Sequence, residues 1–202
     1  MYLIRPPFLY KWLFPKALFR MDSSEKTVYL TFDDGPHPEA TSFVLDVLKE
    51  ENVPATFFLL GKNAEAHPDL LARISSDGHT IANHGHEHLD GWKTNKVNYL
   101  NNVQRAAPLL GTQFFRPPYG RITWRQYRAI SSNTAVVLWD VIAGDFNTTI
   151  SPQQCEANVL RAVRNGSIIV MHDSQKALPI LRNSLRSIIR TIKTLGYGFK
   201  KL

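Results

Sequence analysis

Two short segments hold most of the side chains that could bind a metal ion or move protons. Asp33 and Asp34 stand side by side after an apolar run and before a Gly-Pro pair. His84 and His88 have the spacing that places two imidazoles on one side of a helical turn, whereas His86 and His88 would share the face of a strand. One carboxylate and two imidazoles would leave a coordination position for water, which is typical of catalytic zinc sites. Each segment also has an ordinary interpretation, as an Asp-Gly turn or as a solvated histidine-rich stretch.

More polar residues follow later apolar runs. The segment 116–120 (RPPYG) comes after one such run, and Asp145 and His172 follow two others. In parallel α/β folds the carboxyl ends of the strands form one face, which carries the active site. We therefore expect these residues to converge with the aspartates and histidines on one face of the fold.

The elements that would position these residues are short β-rich runs alternating with longer stretches of helical period. This alternation predicts βα units that form a parallel sheet or barrel. The clearest helical face runs from Leu178 to Leu195, and Gly196 is expected to end that helix. The seven predicted strands are residues 28–32, 55–60, 80–83, 114–115, 135–139, 167–171 and 198–200.

Composition limits the class of protein. The chain has 202 residues, of which 44% are hydrophobic and 20% charged, so it fits one folded domain and not a disordered chain or a coiled coil. The single cysteine, Cys155, cannot form an internal disulfide or a cysteine-rich zinc site. A metal would therefore need His, Asp or Glu ligands, and Cys155 is expected to be a helix-packing or surface thiol.

The formal net charge of +7 is concentrated near the two ends of the sequence. The basic residues are not interleaved with aromatics as in RNA-binding segments, so we expect no nucleic-acid partner. Residues 1–27 are expected to form an N-terminal arm that packs on the domain, with peripheral contact to a membrane as the alternative. The prolines and lysines of this arm argue against a transmembrane segment and a secretory signal, which predicts a cytoplasmic location.

Five motifs occur in the order that is typical of one family: TFDDG (31–35), H-x-x-x-H (84–88), RPPYG (116–120), Asp-Phe (145–146) and V-x-H (170–172). Residues 28–202 thus resemble the catalytic domain of the polysaccharide deacetylases, the NodB-homology carbohydrate esterases of family 4. The resemblance implies a distorted (β/α)7 barrel in a single domain. It also implies a divalent metal, commonly zinc, and removal of acetyl groups from saccharides. A site of this ligand type would also accept cobalt or nickel.

The resemblance assigns roles to matching positions. Asp34, His84 and His88 correspond to the metal ligands. Asp33 corresponds to the base that deprotonates the attacking water, and Arg116 to the residue that pairs with this base.

The remaining roles concern the leaving group and the oxyanion. The backbone N–H of Tyr119 resembles the donor to the oxyanion, and His172 resembles the general acid for the leaving amine. Asp145 resembles the residue that orients this imidazole.

The sequence departs from the family pattern at a few positions. Gly85 stands where the family usually has Ser or Thr, so a contact that supports the metal ligands is expected to be missing. In the fourth motif the usual first acid falls at Ile142, and Phe146 replaces the usual Trp. Asp140 could substitute for that acid, or could be a carboxylate in a turn at a strand end. We interpret these departures as changes in substrate fit.

The leading hypothesis is therefore a metal-dependent hydrolase that acts on N-acetylated amino sugars in a poly- or oligosaccharide. One alternative is a carbohydrate-binding protein on a non-catalytic deacetylase scaffold, and another is a metal-assisted hydrolase of phosphate esters. Trp92, Trp124 and Trp139 could line a sugar site, or could simply pack in the core or its rim.

Overall fold

Strand β1 (Thr27–Asp33) lies at the centre of the sheet, and all seven of its residues are buried. The structure is a computed structural model that describes residues 3–21, 24–111 and 113–202. In these ranges the other strands are β2 (Thr56–Leu59), β3 (Thr80–Asn83), β4 (Phe114–Phe115), β5 (Ala135–Val136), β6 (Val141–Ile142), β7 (Ile168–His172) and β8 (Gly198–Lys200). The helices are α1 (Phe8–Leu13), α2 (Pro38–Glu50), α3 (Gly61–Ala66), α4 (Pro68–Ser76), α5 (Lys96–Leu110), α6 (Trp124–Ile130), α7 (Pro152–Leu160) and α8 (Leu178–Thr194).

The strands pair in parallel in the order β5-β4-β3-β2-β1-β7-β6, and β8 pairs with β1. The first and last strands of this order, β5 and β6, are consecutive in the sequence. One bent segment, residues 135–142, therefore pairs with β4 at its start and with β7 at its end. When β5 and β6 are counted as one strand, the eight strands, β8 included, become seven. The expected distorted (β/α)7 barrel is therefore confirmed.

The predicted strand at residues 135–139 is wrong in its extent, because the chain changes partners there. The Val137 N–H donates to Phe115 O, at 2.8 Å, and so continues the pairing with β4. Three residues later, the Asp140 N–H donates to Ile168 O of β7, at 3.0 Å. Between these two bonds the backbone leaves one neighbour for the other, which divides the apolar run into β5 and β6.

Helix α8 confirms the apolar face that its spacing predicts. Its inward residues include Leu181, Leu185 and Ile188, which are fully buried in the main core. The chain reverses just after the helix at Gly196, whose φ of +82° is strained for any residue with a Cβ. Cys155 of α7 is a buried free thiol whose pKa burial raises to about 12, which agrees with the helix-packing interpretation.

The described part of the N-terminal arm lies against the bent segment 135–142. Phe14 and Phe19 are buried, Leu18 forms a bridge with that segment, and Ile4 O accepts a hydrogen bond from the same segment at 2.9 Å. Residues 1, 2, 22 and 23 of the predicted arm lie outside the described residues, and its boundary at residue 27 stays a prediction. No helix in the described ranges is long and apolar enough to cross a membrane.

Candidate metal and catalytic site

Asp34, His84 and His88 meet beyond the carboxyl ends of β1 and β3. One ligand atom from each of the three residues lies within 4.8 Å of the others. The Asp34 Oδ1 atom is 3.2 Å from His88 Nε2 and 3.7 Å from His84 Nε2. This oxygen is buried and has no hydrogen bond of acceptable geometry within the described residues. Since a buried carboxylate oxygen without a donor is costly, the arrangement fits a divalent cation bound between the oxygen and the two imidazoles.

The protonation of His84 and Asp34 suits metal binding. Burial lowers the pKa of His84 to about 4, so this imidazole is neutral at neutral pH. Its Nδ1 lies 2.8 Å from Arg116 O, a carbonyl that can only accept, which assigns the proton to Nδ1 and the lone pair to Nε2. Burial alone would raise the pKa of Asp34, but His88 and the charges of the nearby histidines outweigh it and hold this pKa well below its usual value.

A loop, and not a helical turn, brings the two histidine ligands together. Gly85 has a φ of +89°, and the segment that follows has no helical hydrogen bonds. The Asn102 side chain fixes the loop by accepting from the Glu87 N–H and donating to Glu87 O, both at 2.8 Å. A Cβ at position 85 would stand 2.7 Å from Asn102 Nδ2. The helical-turn expectation is therefore wrong, and Gly85 is explained by its backbone angle and by the close approach of Asn102.

Asp33 and Arg116 form a buried ion pair beside the metal ligands. The Arg116 NH1 atom is 2.6 Å from Asp33 Oδ1, and both side chains are almost completely buried. NH1 also donates to Thr31 Oγ1 at 2.8 Å, and NH2 donates to Leu138 O at 3.2 Å. The guanidinium lies 4.0 Å from the centre of the Phe58 ring. These contacts leave Arg116 little freedom and fix the Asp33 carboxylate in one position.

His172 and Asp145 form a second pair on the neighbouring strand end. Asp145 is fully buried and accepts twice, from the His172 backbone N–H at 2.6 Å and from His172 Nδ1 at 2.9 Å. Burial alone would lower the pKa of His172, but the charge and hydrogen bond of Asp145 outweigh it and raise this pKa to about 9. The Phe146 ring meets the His172 ring edge to face at 5.0 Å, so the residue that replaces the usual Trp still packs on this imidazole.

Tyr119 occupies the rim of the same site. Its φ of +58° turns the backbone sharply within the RPPYG segment, and its ring meets the His88 ring at 4.3 Å. Its side chain is largely exposed. Within the described ranges no backbone carbonyl accepts a hydrogen bond from its N–H.

Asp140 does not join this group. It lies beside Ile168, the first residue of β7, whereas His172 is the last residue of that strand. The Asp140 carboxylate is buried and binds the guanidinium groups of Arg5 and Arg164. Asp140 therefore cannot replace the missing acid of the fourth motif; it ties the N-terminal arm to the barrel.

Asp173 is a residue of this region that the sequence motifs did not reveal. It is fully buried, and its carboxylate accepts from the Gly35 N–H at 3.1 Å and from Thr41 Oγ1 at 2.5 Å. A Cβ at position 35 would fall 2.0 Å from Asp173 Oδ2, so only glycine fits the turn that follows Asp34. Burial raises the pKa of Asp173 to about 8. Its one sequence signal is its position directly after a strand end.

The sequence and the fold resemble those of known proteins. Residues 20–136 match the family model described as polysaccharide deacetylase. The chain is 39% identical over 183 residues to a peptidoglycan-N-acetylglucosamine deacetylase of Bacillus cereus, covering 87% of this chain and 66% of that protein. It is 35% identical over 161 residues to a chitooligosaccharide deacetylase of Rhizobium leguminosarum bv. trifolii, covering 75% of this chain and 73% of that protein.

A solved structure extends this likeness to nearly the whole fold. It is a peptidoglycan N-acetylglucosamine deacetylase in complex with 4-naphthalen-1-yl-N-oxidanyl-benzamide. The match has a TM-score of 0.90 and 35% identity, and it covers 98% of this chain and 95% of that chain. The matching family model, these identities and the shared barrel fold define the class, and the chain belongs to the polysaccharide deacetylase family. It spans about two thirds of the length of the Bacillus cereus relative.

Proposed function

We propose that this protein is a metal-dependent hydrolase that removes acetyl groups from N-acetylated amino sugars in a poly- or oligosaccharide. One observation carries the proposal. The cluster of Asp34, His84 and His88 lies on the same face as two buried pairs, one of which offers the carboxylate of Asp33 and the other the imidazole of His172. A cation site, a base and an acid on one face are the groups that amide hydrolysis requires. The relatives named as deacetylases of peptidoglycan and of chitooligosaccharides support this substrate class.

The proposed cation is Zn²⁺, held by Asp34 and by the Nε2 atoms of His84 and His88. Two imidazole nitrogens and one carboxylate oxygen suit zinc, and cobalt or nickel would also be accepted. When bound, such a cation would polarise the acetyl carbonyl and lower the pKa of a water molecule.

The protein groups around the cation site supply the proton transfers. Asp33, fixed by Arg116, accepts the proton of the attacking water. The backbone N–H of Tyr119 donates to the carbonyl oxygen of the acetyl group as negative charge develops there. Because both donors and acceptors are held in place before the substrate arrives, little reorganisation is needed during the reaction.

His172 completes the reaction by protonating the leaving amine. Asp145 binds its Nδ1, so Nε2 is the nitrogen that acts on the substrate. The pKa of about 9 keeps the imidazole protonated at neutral pH, which is the form that an acid requires.

The test is acetate release from N-acetylglucosamine oligomers by the zinc-loaded protein, with the Asp33→Asn variant as control. Release that disappears in the variant supports the proposal. No release from the wild type despite one bound metal per chain contradicts it. In that case saccharide binding without turnover would favour the non-catalytic scaffold, and turnover of phosphate esters would favour a different metal-assisted hydrolase.

The N-terminal arm also presents a surface that suits the alternative of a peripheral membrane contact. Phe8, Leu9 and Trp12 of α1 are strongly exposed, and Lys11 lies among them. Aromatic and basic residues together favour the interface of an anionic membrane. Cosedimentation with anionic vesicles tests this proposal. Binding to the vesicles should be lost in Trp12→Ala and at high salt. The cytoplasmic location stays a prediction, to be tested by cell fractionation.

A further inference from the structure

Trp92 is a large aromatic residue held in the solvent beside the candidate site. About 59% of its surface is exposed, although burying an indole is strongly favourable. It lies in the loop between β3 and α5, four residues after His88. An exposed indole in a flexible loop would need no explanation, but hydrogen bonds and an ion pair hold this loop in place.

Four polar contacts fix the Trp92 loop. Its backbone N–H donates to Asp90 Oδ1 at 3.0 Å, and Asp90 Oδ2 forms a 2.6 Å ion pair with Arg121 NH1. The buried side-chain amide of Gln126 donates to two carbonyls of the loop, Gly91 O at 3.0 Å and Thr94 O at 2.9 Å. A Cβ at Gly91 would stand 2.4 Å from Arg121 O, so the loop lies directly on the segment that follows RPPYG. The backbone that carries the indole is thus held in place before any ligand binds.

Arg121 joins Trp92 to the rim of the metal cluster. Its guanidinium lies 5.0 Å from the centre of the Trp92 ring and 5.7 Å from the centre of the Tyr119 ring. Tyr119 in turn contacts the ring of His88 at 4.3 Å. We name Trp92, Arg121 and Tyr119 the aromatic ledge. It leads from a metal ligand outward along the surface.

The chemistry of the aromatic ledge suits a neutral saccharide. The face of a pyranose ring is lined with C–H groups that pack against an indole, and its edge carries hydroxyls that bond to charged side chains. Asp90 pairs with Arg121, so the charge of this guanidinium is offset by a neighbouring carboxylate. A rigid aromatic surface also loses little entropy when a ligand stacks on it.

We propose that Trp92 is a specificity-determining residue that stacks on a sugar unit flanking the one whose acetyl group reacts. This inference rests on the proposed function and deepens it. It makes the protein selective for oligo- and polysaccharides. Tyr119 and Arg121 lie between Trp92 and His88, so a single N-acetylglucosamine at the metal cluster would leave Trp92 uncovered.

The test compares Trp92→Ala, Trp92→Phe and the wild type on N-acetylglucosamine oligomers of increasing length. For the longer oligomers, KM in Trp92→Ala is expected to rise about tenfold, the effect of losing one central aromatic contact, while kcat stays the same. Trp92→Phe should restore much of the affinity. Trp12→Ala removes an even more exposed indole from α1 and should leave every KM unchanged in this lipid-free assay.

Oligomer binding to the Asp33→Asn variant, with and without Trp92→Ala, separates this inference from the proposed function. If the wild type releases acetate and Trp92→Ala has the same KM at every length, the ledge inference is wrong and the proposed function stands. If no acetate is released but length-dependent binding needs Trp92, the ledge inference stands and the proposed function is wrong. A KM that rises equally for the monomer would also overturn the inference, since it would mean a general distortion of the site.

Discussion

Replacing Asp33 with asparagine should separate catalysis from metal binding and from stability. Asparagine keeps the shape and one oxygen acceptor for Arg116 but removes the charge. Breaking a buried ion pair lowers the free energy of unfolding by about 3–5 kcal/mol. Because asparagine retains one acceptor, we expect a loss of about 3 kcal/mol, at the lower end of that range. For a chain of this length, that cost lowers Tm by about 6–12 °C, at roughly 2–4 °C per kcal/mol.

Activity should fall much further than stability. Loss of a general base lowers the rate by about 10²- to 10⁴-fold. Since Asp34 and the two histidines are unchanged, the variant should still bind one metal per chain. Acetate release and the metal content are measured at a temperature where both proteins are folded. A thermal unfolding curve gives the change in Tm.

Asp140→Asn provides the matched control. It removes another buried carboxylate paired with arginine, but at the amino end of β7, away from the metal cluster. It should lower Tm and leave kcat/KM unchanged. Two results would refute the reasoning: an Asp33→Asn variant with wild-type turnover, or an Asp140→Asn variant with equally low turnover, because the loss would then follow from instability.

Three further predictions concern the neighbouring groups. In Asp145→Asn the pKa of His172 falls, because the charge and the hydrogen bond that most oppose the effect of burial are weakened or lost. The alkaline limb of the kcat/KM profile should therefore move to lower pH; an unmoved limb would exclude His172 as the acid. Removing the metal with a chelator should abolish activity and lower Tm, and zinc should restore both in the wild type but not in His88→Ala. Gly35→Ala should lower the free energy of unfolding by about 1–3 kcal/mol in urea titration, because its Cβ would overlap Asp173; full stability would contradict the geometry.

Much of the fold follows from local pattern. The helical face of α8 and most of the strands could be predicted because burial imposes a period on the sequence. The site clusters could be predicted as a group, since polar residues at the carboxyl ends of parallel strands must lie on one face. The bend within residues 135–142 could not be predicted from the sequence pattern. An apolar run has the same pattern whether its backbone bonds to one neighbouring strand or to two strands in turn.

The details of the site depend on contacts that are distant in the sequence. The loop of the histidine ligands is shaped by Asn102, which no spacing rule connects to Gly85. Asp173 acts through the backbone of Gly35, 138 residues earlier, and a lone acid gives no sign of this partner. Long-range packing of this kind is visible only in three dimensions.

The position of the N-terminal arm has a consequence for synthesis of the chain. Arg5 binds Asp140, 135 residues later in the sequence, and Leu18 pairs with Val137. The arm therefore leaves the ribosome well before the segment 135–142 and has no docking surface until that segment has been translated. During that interval its aromatic side chains are open to chaperones and to other nascent chains. A pulse-proteolysis experiment on stalled ribosomes should find the arm cleavable until the segment 135–142 has emerged.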